Sequence, residues 1–202
     1  MASKTKWIID SAHSEIDFEV KHVIITNVKG TFKKFNATVY TINSDFLSAE
    51  IYFTIKTSSI DTGNIYIDEH LKSADFFDVE NHKQLDFKGY IDKNQQSNGN
   101  YELSGNLTIK GITKPVILAV EFGGVKNHRF GTEIANFKIK GAINRNDWGL
   151  NWNTILEAGK ITVSNEVQIL CDIQLKQASK QDFEAPAELL RDLQTTTDFV
   201  QQ

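Results

Sequence analysis

His22 is the residue whose setting first suggests chemistry. In HSEIDFEVKH, residues 13–22, Ile16, Phe18 and Val20 alternate with Glu15, Asp17, Glu19 and Lys21. That alternation describes a β-strand with one apolar and one polar face. His22 takes the next place in the apolar row. An imidazole there has three possible uses: a core group bonded to backbone or a neighbouring side chain, an anchor for the polar head of a ligand, or a metal ligand. The metal reading is weak, because His13, His70, His82 and His128 add no HxH or HExxH spacing. Cys171 is the single cysteine, so it makes neither an intrachain disulfide nor a thiolate zinc site. It falls in an apolar row and reads as a small buried hydrophobe. There is no GxSxG, and no glycine-rich phosphate loop follows a strand, so no cofactor is expected. The polar loop Asn144–Trp152 holds Arg145, Trp148 and Trp152. Either Arg145 bonds loop carbonyls while Trp148 plugs one end of the fold, or the loop forms part of a portal.

These residues need strands to hold them. Residues 13–22 are the first. Gly30 to Tyr40 reads as the second, with Lys29-Gly30 as the preceding turn. Ala49, Ile51, Phe53 and Ile55 mark a third; Leu85, Phe87, Gly89 and Ile91 a fourth; Tyr101, Leu103, Gly105, Leu107 and Ile109 a fifth. Val116, Leu118, Val120 and Phe122 form a sixth, ending at Gly123-Gly124. Ala135 to Ile143 and Val167 to Leu175 complete the set. Turn clusters stand at residues 95–100 and at Lys110-Gly111. About eight amphipathic strands joined mostly by short turns imply antiparallel neighbours. No long amphipathic helix is present to cover such a sheet, so closure into a barrel is expected, with a two-sheet sandwich as the alternative. Between the third and fourth strands, Asp68 is expected to cap a short helix through about Ala74, anchored by Leu71, Phe76 and Phe77. The fold class is therefore all-β: an eight-stranded antiparallel barrel, a short helix between strands 3 and 4, and a C-terminal tail with a helical stretch around Pro186–Leu193. Residues 1–177 form the barrel and 178–202 the tail.

The composition suits this. Of 202 residues, 40% are hydrophobic and 24% charged, which fits a soluble globular chain rather than a disordered one. Thirteen Phe against two Pro favours long regular strands. The net charge of -4 and the lack of a basic block argue against nucleic-acid binding. No apolar run is long enough for a membrane-spanning helix. The first residues carry no apolar signal-type run, so a cytoplasmic location is expected, or a periplasmic one if a signal has been removed.

Several motifs in order carry a family likeness. They are Trp7-x-x-Asp10-x-x-His13-Ser14-x-x-x-Phe18-x-x-Lys21-His22, Gly30-x-Phe32, Ser59-Ile60-Asp61-Thr62-Gly63-Asn64, and Asp68-x-x-Leu71-Lys72-Ser73 with Phe76-Phe77. Later come Gly105-x-Leu107-Thr108-Ile109-Lys110-Gly111-x-Thr113-Lys114-Pro115 and Ile143-Asn144-Arg145-x-x-x-Gly149. Over residues 7–175 the chain resembles the YceI-like family of lipocalin-like barrels that bind polyisoprenoids and related lipids. Lys83 stands where the family pattern has a Pro before the fourth strand, and the tail lies outside the likeness. The resemblance implies a barrel with a real cavity and no catalytic role. It implies a long apolar ligand (polyisoprenoid, isoprenoid quinone or fatty-acid-like lipid) and a homodimer. The residues expected to touch that ligand are Ile16, Phe18, Val20, His22, Phe32, Ile51, Phe53, Ile55, Phe76, Phe87, Leu107, Ile109, Leu118, Phe137, Ile139, Trp148 and Ile169. The small inward residues, Gly89, Gly105, Ala49, Ala119, Ala135 and Gly141, are expected to leave room for it, or merely to relieve curvature. The alternative function is a small enzyme acting on a lipid-like substrate through His22.

Overall fold

The computed structural model describes residues 4–22, 26–42, 45–97, 100–127, 132–152 and 163–179. The strands are β1 (Lys4–Ile9), β2 (Glu15–His22), β3 (Thr26–Phe32), β4 (Phe35–Ile42), β5 (Asp45–Lys56), β6 (Ile60–Asp61), β7 (Gln84–Ser97), β8 (Asn100–Ile109), β9 (Ile112–Asn127), β10 (Glu133–Asn144) and β11 (Val163–Gln177). One helix, α1 (Ile65–Lys72), lies between β6 and β7. Eight strands close an antiparallel ring in the order β1-β4-β5-β7-β8-β9-β10-β11, and β11 pairs back to β1. Closure removes the sheet edges and lets one face of every strand turn inward.

The ring differs from the sequence reading in which strands compose it. Strand β11 has two partners along one side. Its Val163–Asp172 part runs beside β2, and Leu175–Gln177 beside β1. β1 and β2 are thus one strand path broken at residues 10–14. β1 enters the ring, whereas β2 carries β3 and β6 as a side arm. The break is well bonded. Asp10 N–H donates to the Gln174 carbonyl at 2.8 Å, and Gln174 N–H donates to Ser14 Oγ at 2.9 Å. The Asp10 carboxylate accepts from Ala12 N–H at 3.2 Å and meets His13 Nδ1 at 3.0 Å. Burial alone would raise the Asp10 pKa, but these hydrogen bonds, with the charges of His13 and Lys176, hold it below its usual value.

Other local expectations are corrected. The single strand expected over 30–40 is two, β3 and β4, separated at Lys33-Lys34. There Ser59 intervenes: its carbonyl accepts from Lys33 N–H (3.0 Å) and its hydroxyl from Lys34 N–H (3.0 Å). Lys29-Gly30 is not a turn but lies inside β3, because Gly30 faces Phe18 across the β2–β3 ladder and leaves space for its ring. Gly123-Gly124 does not end β9. The two glycines oppose the single residue Asn136, a β-bulge in which Gly124 takes φ 85°. The Gln95-to-Asn100 cluster is narrower than a six-residue turn, since β7 runs to Ser97 and β8 starts at Asn100. Lys110-Gly111 does form the β8–β9 turn, both residues at positive φ (49° and 73°). Asn64, not Asp68, caps α1: its side chain accepts from Tyr66 and Ile67 N–H groups. Asp68 is buried inside the helix, and its carboxylate accepts from the Thr62 amide (2.8 Å) and hydroxyl (2.7 Å). The helix ends at Lys72. The helical stretch expected near Pro186–Leu193 lies outside the described residues.

Candidate functional site: an apolar cavity

The inward rows of the ring surround a cavity of about 140 Å³. Its wall is formed by Ile16, Ala37, Val39, Phe46, Ile51, Phe53, Ile55, Phe87, Ile91, Leu103, Leu107, Val116, Leu118, Val120, Phe137, Ile139, Ile169, Cys171, Ile173 and Leu175. Most of these positions follow from alternation: Ile51, Phe53 and Ile55 of β5, Phe87 and Ile91 of β7, Leu103 and Leu107 of β8, and Ile169 to Leu175 of β11 recur at every second or fourth place, so paired strands present matched apolar rows. Among the described residues the wall contains no carboxylate, imidazole, amine or hydroxyl.

Aromatic side chains pack together towards both ends of the lumen. At the end where β1 meets β4, Trp7 and Thr41 are fully buried, and the indole N–H donates to Thr41 Oγ1 at 3.0 Å. Phe46 lies 4.7 Å from Trp7 and 5.1 Å from Phe137, which stacks with Phe122. At the α1 end, Phe18, Phe32 and Phe77 form a row at 5.8 and 6.0 Å. Phe76 packs against His70 and Trp152. The ladder between β9 and β10 stops at Ala119–Lys140, so the strands part over their last residues at this end. Trp148 fills that region. It is buried, and its indole N–H donates to the Leu107 carbonyl at 3.1 Å. Arg145, also buried, fixes the loop by donating to the carbonyls of Ser164 (3.0 Å), Trp152 (2.9 Å) and Leu150. Burial lowers its pKa below the usual value, though a guanidinium keeps its proton at neutral pH. The expected bonding of Arg145 to loop carbonyls is what the structure shows, with Trp148 buried beside it.

The sequence-derived residues divide into three groups. Ile16, Ile51, Phe53, Ile55, Phe87, Leu107, Leu118, Phe137, Ile139 and Ile169 line the cavity. Phe32, Phe76, Ile109 and Trp148 are buried but belong to the packing at the α1 end, as does the partly buried Phe18. Val20 is half-buried on β2, four positions beyond the last β2 residue on the wall. The backbone of His22 pairs with Thr26 and Val163; its side chain lies outside the described residues. Along β2, His22 is roughly 20 Å from Ile16 at the rise of an extended chain. Wall residues that the sequence reading missed include Ala37 and Val39, whose inward phase was hidden by reading β3 and β4 as one strand, and Phe46, which lies on β5 ahead of the alternating row that starts at Ala49. Ile91, Leu103, Val120, Ile173 and Leu175 sit in the same inward rows as residues already named, and alternation alone could have found them.

Cys171 contributes a thiol to the wall. Burial, reinforced by the charges of Asp17 and Asp172, pushes its pKa up to about 12. The thiol is therefore protonated at neutral pH and a poor nucleophile. Among the described residues no group of three His, Cys, Asp or Glu side chains could hold a metal ion.

Of the small residues expected to face inward, Ala119 is instead exposed, because Leu118 and Val120 hold the inward places on that part of β9, and the glycines do not leave open space. A Cβ at Gly89 or Gly105 would lie 2.5 or 2.4 Å from Phe87 Cζ, and one at Gly141 would lie 2.3 Å from Leu118 Cδ2. Neighbouring side chains already occupy those places, as when an aromatic ring covers a strand glycine.

Comparison with known proteins places this architecture. The YceI-like domain profile matches residues 7–175. The chain belongs to the YceI-like family. A UPF0312 protein of Staphylococcus epidermidis is 39% identical over 165 residues, covering 81% of this chain and 93% of that one. A Campylobacter jejuni YceI protein superposes with a TM-score of 0.64 at 27% identity, covering 85% of this chain and 97% of that one. Burkholderia cenocepacia BcnA shares the fold with a TM-score of 0.69 at 24% identity, over 82% of this chain and 98% of its own. A polyisoprenoid-binding domain from Saccharophagus degradans, implicated in plant cell wall breakdown, does so with a TM-score of 0.63 at 13% identity, over 85% and 98%. The YceI-like motifs of this chain fall largely on structural joints: the β1–β2 break, the cap of α1 and the β8–β9 turn.

Proposed function

We propose that this YceI-like barrel binds a long apolar ligand, such as a polyisoprenoid, an isoprenoid quinone or a fatty-acid-like lipid, and carries or sequesters it. The observation that carries this reading is the chemistry of the wall: among the described residues it has twenty apolar positions and no charged, amide or hydroxyl side chain. Such a cavity offers a polar molecule no hydrogen bond, so burying a polar group there costs free energy, whereas each buried methylene gains about 0.8 kcal/mol. The polyisoprenoid-binding domain of Saccharophagus degradans, which shares the fold, supports the same class of ligand. The cavity is about the size of engineered apolar cavities that take up benzene. A longer chain displaces wall side chains or extends past one of the aromatic ends. Among the described residues the wall holds no acid or base besides the protonated Cys171 thiol, which favours binding over catalysis inside the cavity.

Native mass spectrometry and organic extraction of gently purified protein test this. A retained apolar molecule, or affinity for alkyl chains that rises with chain length, is expected. An empty barrel that takes up no alkyl probe of any length overturns the proposal. A homodimer, implied by the family, is proposed alongside, and light scattering in solution tests it separately.

A further inference from the structure

We propose that Phe87 sets the width of the lumen and thereby selects between straight and methyl-branched chains; the inference rests on the apolar-ligand reading above. Gly89 and Gly105 stand directly opposite each other on β7 and β8. Two glycines facing across a ladder leave a shallow bay where two side chains would otherwise stand. The Phe87 ring lies in it. Cβ atoms built at the two glycines would fall 2.5 and 2.4 Å from its Cζ, closer than real Cβ contacts come. The ring therefore rests against the wall backbone instead of crossing the lumen. Its cross-strand partners, Phe53 and Leu107, also line the cavity, so the bay opens on the middle of the wall and not on an end.

Phe18 rests on Gly30 in the same way, but Phe18 is not part of the cavity wall. Leu118 rests on Gly141, a single glycine under a smaller side chain. Phe87 is the one of the three with both an aromatic ring and a double glycine seat. Removing its ring opens a side bay off the lumen. A straight chain has nothing to place there; a chain with methyl branches does. A larger ring cannot lie in the bay and must lean into the lumen, which obstructs the wider ligand more.

The test compares hexadecanol with its tetramethyl counterpart, phytanol, by titration into wild type, Phe87→Ala, Phe87→Leu and Phe87→Trp. A methylene-sized change in an apolar pocket shifts discrimination on the order of tenfold. Phe87→Ala should raise the phytanol-to-hexadecanol affinity ratio by about that factor, Phe87→Leu by less, and Phe87→Trp should lower it. Both probes are measured on the same preparation, so a partly unfolded variant lowers both affinities and leaves the ratio untouched. Phe87→Leu and Phe87→Trp carry the test if the alanine variant does not fold. An unchanged ratio in variants that melt cooperatively overturns the role of Phe87 while the apolar-ligand reading survives. A wild type that binds neither probe overturns both.

Discussion

At the scale of single residues, the cavity is defined as much by what its groups do not do. Among the described residues Cys171 is the one titratable side chain on the wall, and its environment suppresses ionisation. An unfolded thiol titrates near 9, whereas the folded one holds its proton to about 12. Between those values the folded chain keeps a proton that the unfolded chain gives up. Stability therefore falls as pH rises from 9 towards 12, by about 2–3 kcal/mol at pH 11. Denaturant unfolding of wild type and Cys171→Ala at pH 8 and pH 11 isolates this from the lysines and tyrosines, which both proteins share. The wild type should lose more stability than the variant over that interval; equal losses would mean that the thiol titrates as it would in water. His22 interrupts an apolar row, and of the described side chains of β2, Ile16 lies on the cavity wall whereas Phe18 and Val20 do not. How far along a strand the lumen extends depends on the register of its neighbours, which one strand's sequence does not contain.

At the scale of elements, the joints carry much of the specificity. Asn64 accepts from two amides at the start of α1, and Asp68 ties the first turn of the helix back to Thr62. Asn64→Ala should cost about 1 kcal/mol of stability and speed amide exchange in residues 65–68. Unchanged exchange there would show that the Thr62–Asp68 bonds suffice without the cap. The long strands β5, β7, β8, β10 and β11 were legible because their inward residues alternate over long stretches, as from Ala49 to Ile55 on β5 and from Ile169 to Leu175 on β11. β3 and β4 were merged because Lys33 and Lys34 look like ordinary polar positions between Phe32 and Phe35, and the group that separates them, Ser59, is distant in sequence. Gly123-Gly124 has the local signature of a turn, but Asn136 on the facing strand makes it a bulge. In each case a partner far along the chain decided between two conformations that the local residues allow equally. The wall itself was easier to read, because burial on the inner face demands apolar side chains at every second place regardless of partner.

At the scale of the whole molecule, the ring is sealed by a short ladder between β1 and β11, pairing Trp7 with Gln177 and Ile9 with Leu175. Every other ring neighbour pair except β1–β4 joins strands adjacent along the chain or separated only by the α1 segment or by the stretch between β10 and β11. The sealing ladder alone brings together the first and last strands. Contacts of such separation form against a large loop-closure entropy, and folding slows accordingly. The meander from β4 to β11 has only shorter loops to close, so it should assemble first, as an open trough, with Trp7 docking last. In a Trp148→Phe/Trp152→Phe background, Trp7 is the sole indole reporter. Its fluorescence in stopped-flow refolding should lag the far-ultraviolet circular dichroism signal of strand formation. Coincident kinetics would mean that the barrel closes in one step. A lag would mean that every newly made molecule passes through a stage with its apolar trough open along one side, so that cargo could be acquired during biosynthesis, before there is a wall to cross.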